Sequence, residues 1–403
     1  MKLNGCATFM SSLAASLAIG AEPTRVFTYA QDHDFLAQHA NVIELTADDG
    51  QARIAVVDAF QGRVMTSTAR GASGLSHGWI NRPVVATSPH LDGGKPYGGE
   101  DRFWLAPMGT EFSLFYPPEA KFDDDHWRIP DGLDHGTYEI TERGPDFVVF
   151  RHTLKLQNFV GTIFTVEVNR RVNLFTRATI ASQLGVPLAA SVGAVGYESV
   201  NTAINRGEPW RPDSGMLSVW ILGMFPGREH STIVAPLGAA GLPEDVNRYL
   251  APCDDTRFNV RAGCIYFRGD GRYRSKFGIL PRSTGEVLGS YDPVHGLLTV
   301  IRYAPLERAS QYPNGFTGPQ KKPWEGDVVS SYNNGPLTDT VAPRVDATFY
   351  ELESCSPVKP LPTGGAITHT HQTFHFEGSP AELDPITKRL FNVTTAEITS
   401  ALR

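Results

Sequence analysis

The chain has 403 residues, 41% of them hydrophobic and 20% charged, with a formal net charge of -7. That balance excludes a disordered or fibrous chain. The acidic residues are scattered and no basic stripe is present, which excludes nucleic acid as a partner.

Residues 1–21 read as a secretory signal. Lys2 precedes an apolar, small-residue stretch over 7–19, and Ile19-Gly20-Ala21 before Glu22-Pro23 offers a cleavage site. No later segment has enough consecutive apolar residues to span a bilayer, so membrane insertion is not expected. The mature protein, 22–403, is expected in the periplasm or outside the cell as one domain and a monomer. Cys6 leaves with the signal. Cys253 and Cys264 are close enough to bridge one loop or hairpin; the alternative is three separate thiols with Cys355. No C-x-x-C pair is present to build a thiolate zinc site.

Along the chain a short helix is expected over 34–39. Period-two runs rich in β-branched and aromatic residues follow over 41–46, 53–58, 147–156, 163–168, 297–303 and 348–352. Turn pairs punctuate them: Asp49-Gly50, Asp270-Gly271, Asn314-Gly315 and Asn334-Gly335. Residues 143–146 read as a hairpin tip. Helices otherwise belong to the end of the chain. Ser379-Pro380-Ala381-Glu382 is a capping box opening a helix to about Phe391, and Thr394 to Glu397 repeats the pattern. The expected fold is an all-β, large antiparallel sandwich with a helical tail over 379–402.

Four stretches are dense in polar and aromatic groups. The block 97–104 holds Tyr97, two glycines, Glu100, Asp101, Arg102 and Trp104. Such a set suits sugar hydroxyls and the apolar face of a pyranose, or a buried Arg–Asp brace. The loop region 198–210 carries Asn201, Asn205 and Trp210, amides that serve sugar binding or simple turns. Arg272, Arg274 and Lys276 form a short cationic run, which reads as a solvated face or as a pull towards acidic groups. In the last stretch Glu351 and Glu353 lie two apart on a strand, so both point to one face and repel when ionised. His369, His371 and His375 share parity on a predicted strand over 367–376; an unbound polar face is the preferred reading over a metal site. No metal or cofactor is expected. His77, before Gly78-Trp79, is a further candidate for lining a groove or for simple exposure.

With these residues in view the chain resembles the galactose mutarotase-like, or aldose 1-epimerase-like, proteins, and within them an uncharacterised bacterial branch. The patterns are Gly62-Arg63-Val64-Met65-Thr66-Ser67, Gly78-Trp79-Ile80-Asn81, the 97–104 block, Gly289-Ser290-Tyr291-Asp292 and Tyr350-Glu351-Leu352-Glu353-Ser354, within 41–393. The resemblance implies an antiparallel supersandwich with a sugar groove. Leu352-Glu353-Ser354 is similar to the family's catalytic strand, which implies Glu353 as the base. Tyr97-Gly98-Gly99 stands where the family has His-Gly-Gly, and Asn201 is the nearest match to the region of its second histidine. The acid is then expected to be Tyr97 or His126, with Glu100, Arg102, Trp104, Asn201 and Lys276 lining the sugar site. The implied function is interconversion of the anomers of a free or terminal sugar. Alternatives are a non-catalytic binder of a sugar or oligosaccharide, and a lyase or hydrolase of acidic polysaccharide.

Overall fold

Alternating apolar residues become strands where a neighbouring layer can bury the apolar side. The computed structural model describes residues 26–87, 96–238, 241–337 and 348–402. The export segment expected at 1–21, with Cys6, lies outside the described residues.

Helix α1 (Tyr29–Ala37) leads into β1 (Val42–Ala47), β2 (Ala52–Val57) and β3 (Arg63–Thr68), a three-stranded antiparallel sheet. The short helix α2 (Arg82–Thr87) precedes β4 (Arg102–Ala106), β5 (Glu139–Arg143), β6 (Phe147–Gln157) and β7 (Ile163–Leu174). Helix α3 (Arg177–Leu184) is followed by β8 (Gly193–Asn205), β9 (Ser218–Pro226), β10 (Thr232–Pro236), β11 (Val246–Leu250) and β12 (Phe258–Arg261). Then come β13 (Cys264–Arg268), β14 (Ser275–Ile279), β15 (Val287–Asp292) and β16 (Leu297–Ala304). Strands β17 (Val329–Asn333), β18 (Phe349–Cys355) and β19 (Ala366–Glu377) lead to α4 (Pro380–Phe391) and α5 (Thr395–Ser400).

A ten-stranded sheet has the order β12-β13-β10-β15-β16-β19-β8-β7-β6-β5, and a six-stranded sheet the order β11-β14-β17-β18-β9-β4. Every pairing within them is antiparallel. Side-chain parity then sets the layers. In the ten-stranded sheet Ile233, Ile265, Phe267, Leu288 and Ile301 face Phe277, Ile279, Tyr350 and Leu352 of the six-stranded sheet. Further along, Val148, Val166, Val168 and Val195 pack with Ile54, Val56 and Phe103. The opposite face of the ten-stranded sheet, through Val234, Tyr266, Val300 and Phe374, is covered by Ile180, Leu383, Ile386, Phe391 and Ile398 of the helices. This is an antiparallel β-supersandwich with short C-terminal helices.

The expected strands and the 143–146 hairpin tip are present, the tip closed by Gly144 N–H to Phe147 O. Both tail helices start on the capping boxes read from the sequence. The first helix begins earlier than expected, because Thr28 and Gln31 form a capping box ahead of Tyr29. Helices α2 and α3 lie inside the β body, where none was expected. Thr176 caps α3, Gly185 in the left-handed region ends it, and eight residues are too few for its period to show. The three cysteines are free thiols, so Cys253 and Cys264 do not bridge. They sit apart: Cys264 donates to Phe391 O, whereas Cys253 lies near Ala251 O.

A polar seam crosses the interior between the sheets. Arg170 on β7 is fully buried; its Nε donates to Gly62 O at 3.0 Å, Nη1 to Asn201 Oδ1 at 2.6 Å and Nη2 to Asp101 Oδ1 at 2.6 Å. Ser199 completes Asp101, and Ser354 of β18 bridges His369 and His371 of β19 at 2.8 Å each. Burial pushes His369 down to about 3, with the neighbouring His371 adding to it, and His371 down to about 4. Both imidazoles are therefore neutral at ordinary pH.

Replacing Arg170 with Met leaves the Asp101 carboxylate buried without its cation. We expect a loss of about 3–5 kcal/mol in unfolding free energy. Urea denaturation monitored by tryptophan fluorescence measures it, and a loss near zero would show that the seam is hydrated and not closed.

Candidate functional site

The register of the six-stranded sheet dictates which side chains share its second face, the one turned away from the ten-stranded sheet. Ser330 lies opposite Glu353, which lies opposite Leu222, itself opposite Arg102. One step along, Tyr249, Lys276, Tyr332, Glu351 and Met224 form a row, as do Cys355, Trp220 and Trp104. Directly paired residues point to the same face. Four strands, β4, β9, β14 and β18, thus deliver two glutamates, a lysine, an arginine and two indoles to one surface.

Glu353 is completely buried there. It accepts from Lys276 Nζ at 2.7 and 2.9 Å, from Trp220 Nε1 at 3.0 Å and from Ser330 Oγ at 2.8 Å. Glu351, nearly buried, accepts from Arg102 Nη2 at 2.8 Å and shares this face with the Glu353 carboxyl. Burial raises Glu351 to about 7, Arg102 opposing the shift and the Glu353 charge adding to it. The guanidinium of Arg102 stacks 4.0 Å from the Trp104 ring centroid, and the Lys276 ammonium lies 5.0 Å from that of Trp220. Trp104 in turn packs on Trp220, Phe115 and Trp127, making an aromatic wall beside the charges.

A third carboxylate completes the face. Asp327 accepts from the Tyr249 hydroxyl and from Asn247 Nδ2. Burial raises it to about 6 against the pull of those hydrogen bonds and of Lys276. It lies across β14 at Gly278, where an added Cβ would come within 2.0 Å of Asp327 Oδ2. A small cleft of about 40 Å³ opens among Trp220, Lys276, Tyr249, Asp327 and Ser330, under the 313–315 loop. That volume holds water.

The residues picked out in the sequence divide between three places. Glu353, Arg102, Trp104 and Lys276 share this face, and Glu351 and Glu353 point together as their spacing predicts. Glu100 and Asn201 are fully buried in the interior seam, sealed from the cleft. Glu100 accepts from Ser67, Tyr197 and His375, at 2.9–3.0 Å, and Asn201 is held by Arg170 and Ser199. Tyr97 is buried against the Arg63 guanidinium and its hydroxyl donates to Asp134 O, with no bond to Glu353. His126 is exposed on a loop and pairs with Asp123; the adjacent Trp127 is what reaches the aromatic wall. The cationic run also separates: Arg272 meets Glu229, Arg274 meets Asp124 and Lys276 meets Glu353. Each cation is matched to a carboxylate, so the run forms no free anion site.

Among the histidines, His375 joins His77 and Glu100 in a buried group whose ligating atoms lie within 4.8 Å of one another. His77 bonds Ser67 and Glu377, His375 bonds Thr299 and Glu100, and the two rings stack at 4.3 Å. Both ring nitrogens of each histidine are hydrogen-bonded in this arrangement. Burial would raise Glu100, but the neighbouring imidazoles and Ser67 hold it below its ordinary value. Trp220, Tyr249, Ser330 and Asp327 went unassigned in the sequence. Pairing register, which a single chain does not display, reveals the first three; Asp327 lies ahead of β17, outside any register.

The family model described as "Family of unknown function (DUF6786)" matches residues 27–402. No curated protein matches the chain. Among solved structures it is similar to a provisionally named aldose 1-epimerase from Escherichia coli K12. That match has 12% identity, 83% of this chain and 98% of the other covered, and a TM-score of 0.48. It is also similar to a galactose mutarotase-like protein from Lactobacillus casei ATCC 334, with 8% identity, 83% and 100% coverage and a TM-score of 0.45. A galactose mutarotase related enzyme from Lactobacillus acidophilus aligns at 11% identity, 84% and 98% coverage and a TM-score of 0.44. The functional reading rests on the chain's own residues.

The raised Asp327 gives a pH test of this geometry. The folded protein holds the proton to about pH 6, whereas the unfolded chain releases it near the ordinary aspartate value. Stability from this group therefore falls as pH rises from about 4 to about 6 and levels off above. Asp327→Asn keeps the acceptor for Tyr249 and removes the titration. We expect its stability relative to wild type to rise by up to about 3 kcal/mol across that window. Denaturant unfolding at several pH values reads the difference, and a flat difference would refute a desolvated Asp327.

Proposed function

We propose that this chain, which belongs to the family of unknown function DUF6786, is a carbohydrate-active isomerase of the aldose 1-epimerase type. The observation that carries the reading is the Glu353 carboxylate. It is withdrawn from water, oriented by Lys276, Trp220 and Ser330, and set beside a second carboxyl and an indole wall. Burying a carboxylate with a lysine adds little to folding stability and is often neutral or worse against an apolar pair. Its presence directly behind Trp220, Lys276 and Ser330 of the cleft is better accounted for by chemistry.

Anomer interconversion asks for that chemistry. A base takes the proton of the anomeric hydroxyl, an acid protonates the ring oxygen, and the open-chain aldehyde closes again on its other face. Glu353 is placed to act as the base. Lys276, once Glu353 is neutralised, offers a charged donor to the substrate's oxygens. The indoles supply an apolar platform for a sugar's C–H face. Arg102 Nε and Trp104 Nε1 are buried donors with no partner among the described residues, available to a ligand oxygen if the wall opens.

We propose in addition that the protein works in the periplasm or outside the cell, on the strength of the signal-like residues 1–21. Sequencing the N-terminus of protein recovered from the exported fraction tests that.

Wild-type protein is expected to speed α/β exchange of at least one aldose in a panel of neutral and acidic sugars, followed by exchange NMR. Glu353→Gln should lower the rate by about 10²-fold or more. Exchange that is unchanged in Glu353→Gln would sink the reading. Saturation transfer from a sugar without any exchange would instead support a binding protein.

A further inference from the structure

The isomerase reading names a base but leaves open what protonates the ring oxygen. We infer that Glu351 is the acid: it holds a proton on the same face as Glu353 and delivers it to the ring oxygen as Glu353 takes the anomeric proton. This inference rests on the isomerase reading.

Three features of the geometry carry it. The two carboxyls are two residues apart on β18 and project to the same face, so the strand itself sets them side by side. Their donors are unequal. Glu353 receives an ammonium, an indole N–H and a hydroxyl, a set that an ionised carboxylate accepts in full. Glu351 receives one hydrogen bond, from Arg102 to Oε1, which leaves its second oxygen to carry a proton. Finally, neither Tyr97 nor His126 makes a bond on this face, whereas Glu351 shares it with the base. Burial, with the Glu353 charge adding to it, keeps Glu351 protonated to about pH 7.

The proton count closes. Glu353 removes the proton from the anomeric hydroxyl, the C1–O5 bond breaks as C1–O1 becomes a carbonyl, and O5 takes the proton of Glu351. The aldehyde turns about C1–C2. The O5 hydroxyl then attacks the other carbonyl face, returns its proton to Glu351, and O1 recovers the proton held by Glu353. Both carboxyls end as they began, with no cofactor and no net proton exchanged.

The decisive experiment compares wild type, Glu351→Gln and Glu353→Gln by exchange NMR over a pH range, with saturation transfer reporting sugar binding. Glu351→Gln keeps an acceptor for Arg102. It is expected to retain binding while losing about 10²-fold or more of the exchange rate. Wild-type exchange should decline as pH rises through about 7, where Glu351 gives up its proton, and that limb should vanish from the residual rate of Glu351→Gln. A carbon-13 titration of the glutamate carboxyls adds a readout independent of activity. One signal should titrate near neutrality in wild type and shift towards the ordinary range in Glu353→Gln.

If wild type and Glu351→Gln exchange equally while Glu353→Gln is dead, the acid assignment falls and the isomerase reading stands. If wild type exchanges nothing, both fall together. Should Glu351→Gln fail to fold, the wild-type titration decides, because a Glu351 carboxyl that titrates in the ordinary range overturns the acid assignment.

Discussion

A guanidinium removed from water must find an acceptor for its donors, and Arg170 finds them on three separated parts of the chain. One acceptor is the carbonyl just before β3, one is the aspartate that opens β4, and one is the amide of Asn201 on β8. Those partners belong to, or adjoin, the three different sheets. Apolar packing between the layers is tolerant of small slides, because dispersion contacts have no preferred direction. A buried charge with directed hydrogen bonds is not tolerant. Its cost on any displacement locks β4 against the inner sheet, and the other end of that same strand entry holds Arg102 under Glu351.

The seam and the outer polar face obey the same rule with different results. Inside the sandwich Glu100, His77, His375 and Glu377 answer one another. On the outer face the carboxyls outnumber the cations that touch them: Glu351, Glu353 and Asp327 share Arg102 and Lys276. Desolvation resolves the surplus by protonation, which is why two of these three groups sit between about 6 and about 7. A fold built for stability alone would have little reason to keep that imbalance. A site that moves protons does.

How much of this was legible in the sequence depends on range. Alternation within a run exposes strands, and so 41–46, 147–156 and 297–303 read correctly, as did the shared face of Glu351 and Glu353. Capping boxes are local too, and Ser379 and Thr394 marked the tail helices. What a single chain does not display is which runs pair and what covers them. Glu100 and Asn201 have the residue types of a sugar groove, yet their strand positions turn them into the interior, where Arg170 and His375 satisfy them. Trp220 sits in an unbroken apolar run, Ser218–Pro226, and reads as core; only its place opposite Cys355 and Trp104 turns it to Glu353. Asp327 lies before its strand begins, outside any alternating pattern. The three histidines of β19 share parity as expected, but the face they share is the closed one.

Gly278 separates two kinds of constraint that usually overlap. No unusual backbone angle requires glycine there, and β14 would pair with its neighbours as well with alanine. What the missing side chain provides is room for the Asp327 carboxylate to lie over the strand. The position is therefore a mould: its emptiness records the outline of a group that comes from elsewhere in the chain. A survey of tolerated substitutions that scored only solubility would pass a small side chain at 278 and see nothing amiss, while the charge pattern of the cleft had already changed.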